Sequence, residues 1–215
     1  MKIGVFDSGV GGLSVARAIE EALPLAEVIF VTDPEHFPYA TKTAEQIWQG
    51  IEPIFQNLVD QHCDVIVIAC NTVSTTLAGR LRETFAVPFV ALEPMVKPAA
   101  ERTQSGKIAV CATPTTLSSA RYMELKNEFA QDVTVLEPDC SDWSSLIEEN
   151  QMNEQKLRQT IEPVLAAGAD VIVLGCTHYH WIEEEIRELA GDKAIVMQPE
   201  QAVVAQLKRV LALPA

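Results

Sequence analysis

Two cysteines stand where a thiol could do chemistry. Each closes a run of aliphatic residues: Asp64-Val65-Ile66-Val67-Ile68-Ala69-Cys70-Asn71-Thr72 and Asp170-Val171-Ile172-Val173-Leu174-Gly175-Cys176-Thr177-His178. Such a run, without polar alternation, reads as a strand buried on both faces, the parallel-sheet kind. Cys70 and Cys176 then fall at the carboxyl ends of central strands, where open α/β sheets place ligands. Both would also begin helices, whose dipole and free N–H groups stabilise a thiolate. A thiolate is a general base and its thiol an acid. Two of them flanking one carbon would take a proton from one face and deliver one to the other. That is racemisation, and it needs neither metal nor pyridoxal phosphate provided the carbanion is stabilised. The plain alternative for either residue is an inert buried cysteine.

The elements that must position these thiols are also written twice. Lys2-Ile3-Gly4-Val5-Phe6 matches Lys107-Ile108-Ala109-Val110-Cys111, Val28–Val31 matches Val133–Leu136, and Ile51-Glu52-Pro53-Ile54 matches Ile161-Glu162-Pro163-Val164. Only the last spacing shrinks, by four residues, which is about one helical turn and keeps the same face on the sheet. Repeats in one order at similar offsets predict two pseudo-symmetric three-layer α/β lobes with mostly parallel sheets, each bringing one cysteine to a cleft between them. The expected division is residues 1–92 for the first lobe, joined by the C-terminal 192–215, and residues 93–191 for the second.

Composition narrows the class. The chain has 215 residues, 48% hydrophobic and 21% charged, which describes a folded protein of one large or two small domains. Sixteen Lys plus Arg stand against 30 Asp plus Glu, a formal net charge of −14, so no nucleic-acid partner is expected. An anionic substrate would need local donors to oppose that field. No zinc-type cysteine pairing appears among the five cysteines, and no metal is expected. With no signal peptide or membrane-length apolar run, the expectation is a cytoplasmic protein with reduced thiols and no membrane contact. Homodimerisation is left open.

Further segments suit a site. Asp7-Ser8-Gly9-Val10-Gly11-Gly12 is a Gly-rich strand-to-helix turn, equally readable as a tight turn or an anion site. The loop Asp33-Pro34-Glu35-His36-Phe37-Pro38-Tyr39-Ala40 comes after a strand and has the content of a site-lining loop. Pro53 predicts a kink or break in a helix from about Thr43 to Gln61. In the second half, the hydroxyl-rich Thr113–Ser119 would cap a helix or bind a ligand carboxylate. The last strand, Ala194–Met197, and a helix from about Glu200 to Leu211 are expected to return to the first lobe.

Asp7-Ser8-Gly9-Val10-Gly11-Gly12, Pro38-Tyr39, Cys70-Asn71-Thr72, Ala112-Thr113 with Thr116, and Gly175-Cys176-Thr177-His178-Tyr179 together resemble the glutamate racemases, in that family's order over nearly the whole chain. Aspartate racemases of the same superfamily lack this Asp-Ser-Gly turn and usually carry Glu where this chain has His178. The resemblance implies cofactor-independent interconversion of L- and D-glutamate, supplying D-glutamate for peptidoglycan. It implies Cys70 and Cys176 as acid/base thiols, with Asp7 assisting Cys70, and His178 assisting Cys176 with Glu148 nearby. Ser8, Pro38, Tyr39, Ala40, Asn71, Thr72, Thr113, Thr116 and Thr177 would hold the amino acid. Four places depart from the pattern: Ala40 for Gly, Ser141 for Pro, His180 for Pro, and Gln198-Pro199 for Asp-Ser. A racemase of another acidic amino acid such as aspartate, or a non-catalytic amino-acid-binding or regulatory protein on the same scaffold, are the alternatives.

Overall fold

The computed structural model describes residues 1–39 and 42–213, so the expected site residue Ala40 lies outside the described residues. The chain divides into two compact units, Met1–Glu93 with Pro199–Ala215, and Pro94–Gln198. Unit 1 runs β1 (Lys2–Asp7), a 3-10 turn (Val10–Gly12), α1 (Leu13–Ala22), β2 (Glu27–Thr32), α2 (Ala44–Asp60), β3 (Val65–Ile68), α3 (Asn71–Thr84) and β4 (Phe89–Ala91). Unit 2 opens with α4 (Val96–Arg102), β5 (Lys107–Cys111), α5 (Pro114–Leu117), α6 (Ala120–Phe129) and β6 (Thr134–Leu136). It continues through α7 (Trp143–Glu148), α8 (Glu154–Ala166), β7 (Val171–Leu174), a 3-10 turn (Thr177–Ile182), α9 (Glu183–Ala190) and β8 (Ile195–Met197). Helix α10 (Glu200–Val210) then belongs to unit 1.

Each unit holds a four-stranded sheet, ordered β2-β1-β3-β4 in one and β6-β5-β7-β8 in the other, and every pairing is parallel. The aliphatic runs explain why these strands are central. Side chains alternate between faces along a strand. Val65, Val67 and Ala69 enter the core packed with Val15, Ile19, Val203 and Leu207, while Ile66, Ile68 and Cys70 enter the core on the opposite face, with Ile47, Ile51, Phe55 and Val73. In unit 2, Val171 and Val173 join Val96, Tyr122 and Leu125, while Ile172 and Leu174 join Leu157, Ile161 and Ile186. Helices therefore cover both faces of each sheet, which makes each unit three layers deep.

Two expectations need correction. Of the kink or break expected at Pro53, the break does not occur: helix α2 runs on through it, and α8 likewise through Pro163. An interior proline costs about 3 kcal/mol. Ile47, Trp48, Ile51, Phe55 and Leu58 are all buried along α2, and each large apolar side chain contributes roughly 1.5–3 kcal/mol, so packing outweighs the lost bond. The strand β8 does not return to the first lobe. It pairs with β7, Ile172 opposite Val196 and Val173 opposite Met197, as β4 pairs with β3 through Ile66–Phe89 and Val67–Val90. It is the second copy of β4, so the repeat assigns it to unit 2, and only α10 crosses back.

Candidate active site: two thiol half-sites

In a β2-β1-β3 order the chain leaves β1 in one direction and later returns to its other side. The crevice at the carboxyl ends of β1 and β3 is the switch point where such sheets bind ligands. Asp7 ends β1 there, and Cys70 lies two residues past β3. In unit 2 the corresponding strands are β5 and β7, with Thr113 two residues beyond β5 and Cys176 two beyond β7.

The Cys70 half-site is buried. Asp7 is fully buried, and its Oδ2 accepts the Gly12 N–H at 2.8 Å. A Cβ on Gly12 would lie 2.5 Å from the Asp7 Cβ, so the second half of the Gly-rich turn is glycine for close approach. The Gly12 donor is thus used by the chain's own carboxylate. Cys70 Sγ donates to Ser8 Oγ at 3.6 Å. Burial pushes the Cys70 thiol up to about 12, and the Asp7 charge adds to this; the Val73 N–H, Ser8 hydroxyl and Thr72 N–H pull the other way and lose. The expected thiolate stabilisation at the start of α3 is therefore overridden by desolvation, and Cys70 rests as a thiol.

Asn71, beside it, is buried, and neither its amide nitrogen nor its oxygen has a hydrogen-bond partner. Buried polar atoms are nearly always satisfied, so an orphaned amide at a switch point is suited to a ligand. Thr72 is buried in the first turn of α3, and Pro38 and Tyr39 close the loop after β2. The Tyr39 hydroxyl donates to Asp33 Oδ2 at 2.5 Å, and His36 Nδ1 lies 2.7 Å from Asp33 Oδ1. Burial raises the Tyr39 phenol, and Asp33, Cys70 and Asp7 raise it further, which places the phenol within electrostatic reach of the thiol. Asp33 is the residue that sequence reasoning missed. Its signal is an aspartate immediately after a strand, in a loop already singled out, with two polar partners downstream.

The Cys176 half-site is built differently. Cys176 caps the expected helix start, whose first six residues, Thr177–Ile182, wind as a 3-10 turn before α9 begins at Glu183. The turn brings His178 back toward the sulfur, with Cys176 Sγ 3.8 Å from His178 Nδ1. The other ring nitrogen, Nε2, lies 2.8 Å from Glu148 Oε2 at the end of α7. With Nε2–H donating to the carboxylate, Nδ1 of the neutral ring carries no proton and faces the thiol as an acceptor. His178 is buried, while Glu148 and Cys176 at either end of the series are each partly exposed. Thr177 is buried beside them. Thr113 caps α5, accepting the Thr116 N–H at 3.3 Å and donating to Thr116 Oγ1 at 3.0 Å, so the capping reading of this turn holds. The structure thus brings Asp7, Ser8, Asn71 and Thr72 to Cys70, and Glu148, Thr177 and His178 to Cys176. Among the described residues, no group of three or more His, Cys, Asp or Glu could hold a metal ion, and no helix is long and apolar enough to cross a membrane.

Residues 3–207 match the family described as Asp/Glu/Hydantoin racemase. A curated relative, the glutamate racemase of Pseudomonas aeruginosa, is 42% identical over 97% of this chain and 81% of its own length. Among solved structures, Escherichia coli glutamate racemase in complex with L-glutamate and the activator UDP-MurNAc-ala is 29% identical with a TM-score of 0.89, covering 100% of this chain and 83% of that one. Francisella tularensis glutamate racemase in complex with D-glutamate is 27% identical with a TM-score of 0.83, covering 98% and 80%. Doubled sheets and relatives together define the class, an isomerase that racemises. The chain belongs to the Asp/Glu/hydantoin racemase family.

Proposed function

We propose that the chain interconverts L- and D-glutamate in the cytoplasm by cofactor-independent proton transfer between Cys70 and Cys176, and so supplies D-glutamate for peptidoglycan. One observation supports this reading: each unit provides a thiol at its switch point with a titratable neighbour, the Asp7 charge acting on Cys70 and His178 backed by Glu148 beside Cys176. The glutamate named for the relatives supports the choice of substrate.

In one direction His178 takes the Cys176 proton, and the resulting thiolate removes the Cα proton. The Cα–H electron pair stays on carbon as a carbanion, and the Cys70 thiol delivers its own proton to the opposite face. Cys176 ends as a thiol, Cys70 as a thiolate and His178 as an imidazolium. His178 gives its proton up to solvent, and the Cys70 thiolate takes one from solvent, passed through Asp7, so all three return to rest. A Cys70 that holds its proton firmly at neutral pH suits the donor role. The Asn71 amide would donate to a substrate carboxylate and accept from its ammonium group. Ser8, Thr72 and the Pro38-Tyr39-Ala40 segment would line the same side, with Thr113, Thr116 and Thr177 on the other.

Incubation of D-glutamate in heavy water, with chiral separation and mass spectrometry of the products, tests the reading. Expected is L-glutamate carrying one deuterium at Cα. Absence of both deuterium and the L-enantiomer refutes it, and exchange into aspartate alone would move the substrate, not the mechanism.

A further inference from the structure

Three consecutive side chains after Thr177 tie the 3-10 turn to three separate segments of unit 2. His178 Nε2 meets Glu148 Oε2 of α7 at 2.8 Å. The Tyr179 hydroxyl donates to the Cys140 carbonyl at 3.0 Å, in the loop before α7. Gln198 Nε2 donates to His180 Nδ1 at 2.9 Å and also to Glu183 Oε2, at the start of α9. The other Glu183 oxygen accepts from Arg187 Nε at 2.7 Å. The first two ties use buried rings, and the third is half-exposed. His180 and Gln198 are two of the four places where the sequence departs from the glutamate racemase pattern, and here they bond to each other.

We propose that Gln198, His180 and Glu183 form a positioning tether for the Cys176 half-site. The proposal rests on the reading of Cys176 as an acid/base thiol. Gln198 comes directly after β8, which is locked to β7 through Val173 and Met197. The tether therefore refers the turn after β7 back to the neighbouring strand of the same sheet. What it protects is the 3.8 Å approach of Cys176 Sγ to His178 Nδ1. That contact is already at the long end for a sulfur hydrogen bond, so a small drift of the turn breaks it. None of the three tether residues touches the reacting atoms, and their role is to hold the turn that carries His178.

The test uses the full chain with His180→Ala, Gln198→Ala, the double variant and His180→Asn, whose amide oxygen takes the place of Nδ1. Each alanine variant is expected to lower kcat by roughly ten- to a hundredfold with KM little changed, the cost of a displacement of an ångström or less. The double variant should be no worse than the worse single one, since both remove one tie, and His180→Asn should recover most of the rate. With Cα-deuterated L- and D-glutamate, the primary isotope effect should rise for the enantiomer deprotonated at Cys176 and stay unchanged for the other. A second readout does not need turnover: the rate at which iodoacetamide alkylates Cys176, monitored by peptide mass spectrometry, should fall several-fold in the alanine variants and recover in His180→Asn. Variants with a lowered unfolding midpoint but wild-type isotope effects and alkylation rates would reduce the cluster to a surface contact and overturn the proposal. An inactive wild type in which the alkylation pattern still tracks the tether would instead overturn the racemase reading and leave the tether standing.

Discussion

Cys70 and Cys176 do the same job in the proposed reaction with unlike neighbours, and that asymmetry has consequences for substitution. A serine hydroxyl fits either site but is a far weaker acid, so Cys70→Ser and Cys176→Ser should each reduce turnover by at least about 10²–10⁴-fold, the usual worth of a positioned acid or base. Racemisation in both directions would be lost in either variant, as measured by polarimetry from each enantiomer; a variant that still turns over one enantiomer at the wild-type rate would remove that thiol from the mechanism. Gly50 shows how tightly the Cys70 side is packed. A Cβ there would lie 2.7 Å from His36 Nδ1 and 2.8 Å from Asp33 Oδ2. Asp33 in turn holds the Tyr39 hydroxyl. Gly50→Ala therefore has to displace the acceptor of a buried phenol. Overpacking of this kind costs about 1–3 kcal/mol, which a urea unfolding midpoint would register.

At the scale of elements, the sign of a glycine substitution reverses with its surroundings. Gly79 is exposed in the interior of α3, and nothing lies within 4 Å of the position its Cβ would take. Gly79→Ala should thus stabilise by roughly 0.5–1 kcal/mol, the helix-propensity difference. A thermal midpoint at or below that of the wild type would mean that α3 is strained there in a way its geometry does not display. The start of α2 carries a reciprocal cap, with Thr43 Oγ1 accepting the Gln46 N–H and Gln46 Oε1 accepting the Thr43 N–H. Thr43→Ala should cost about 1 kcal/mol.

These elements also separate what is readable in the sequence from what is not. Strands β3 and β7 are legible because burial on both faces demands aliphatic residues at every position, and Val65–Ile68 and Val171–Leu174 are wholly buried. The short β8 goes to the wrong lobe on sequence alone because three residues carry no mark of which sheet they join; its pairing with β7 decides it. Cys176 is legible as a helix start, but the Gly-Cys-Thr-His run does not distinguish α from 3-10 winding. The thiol character of Cys70 depends on complete desolvation, a sum over the surrounding core that no local motif encodes. Likewise, the His180–Gln198 bond joins residues separated by α9 and β8, so each looks like an isolated departure.

For the whole molecule, the buried weak acids set an upper pH limit on stability. Burial pushes Cys70 to about 12 from an ordinary 9.0, and it raises Cys140, whose neighbour Cys111 adds to the effect. Tyr39, Tyr122 and Tyr179 are raised from 10.0, each chiefly by burial. All five shifts have the same sign: the folded chain holds these protons more tightly than the unfolded chain does. Below pH 9 both states are protonated and the full stability is present. Above it the unfolded thiols and phenols ionise first, so the unfolded state binds fewer protons and stability falls with each further unit of pH. Cys70 alone, displaced by about three units at roughly 1.4 kcal/mol per unit, would withdraw on the order of 4 kcal/mol by pH 12. The net charge of −14 also grows as lysines deprotonate, and that repulsion acts in the same direction. A Cys70→Ala, Cys140→Ala variant separates the two, because it keeps the surface charge and removes two of the buried acids. Urea unfolding at pH 8 and pH 10.5 should show a smaller loss of midpoint in the variant than in the wild type. Equal losses would assign the alkaline instability to surface repulsion and leave the buried thiols without a part in it.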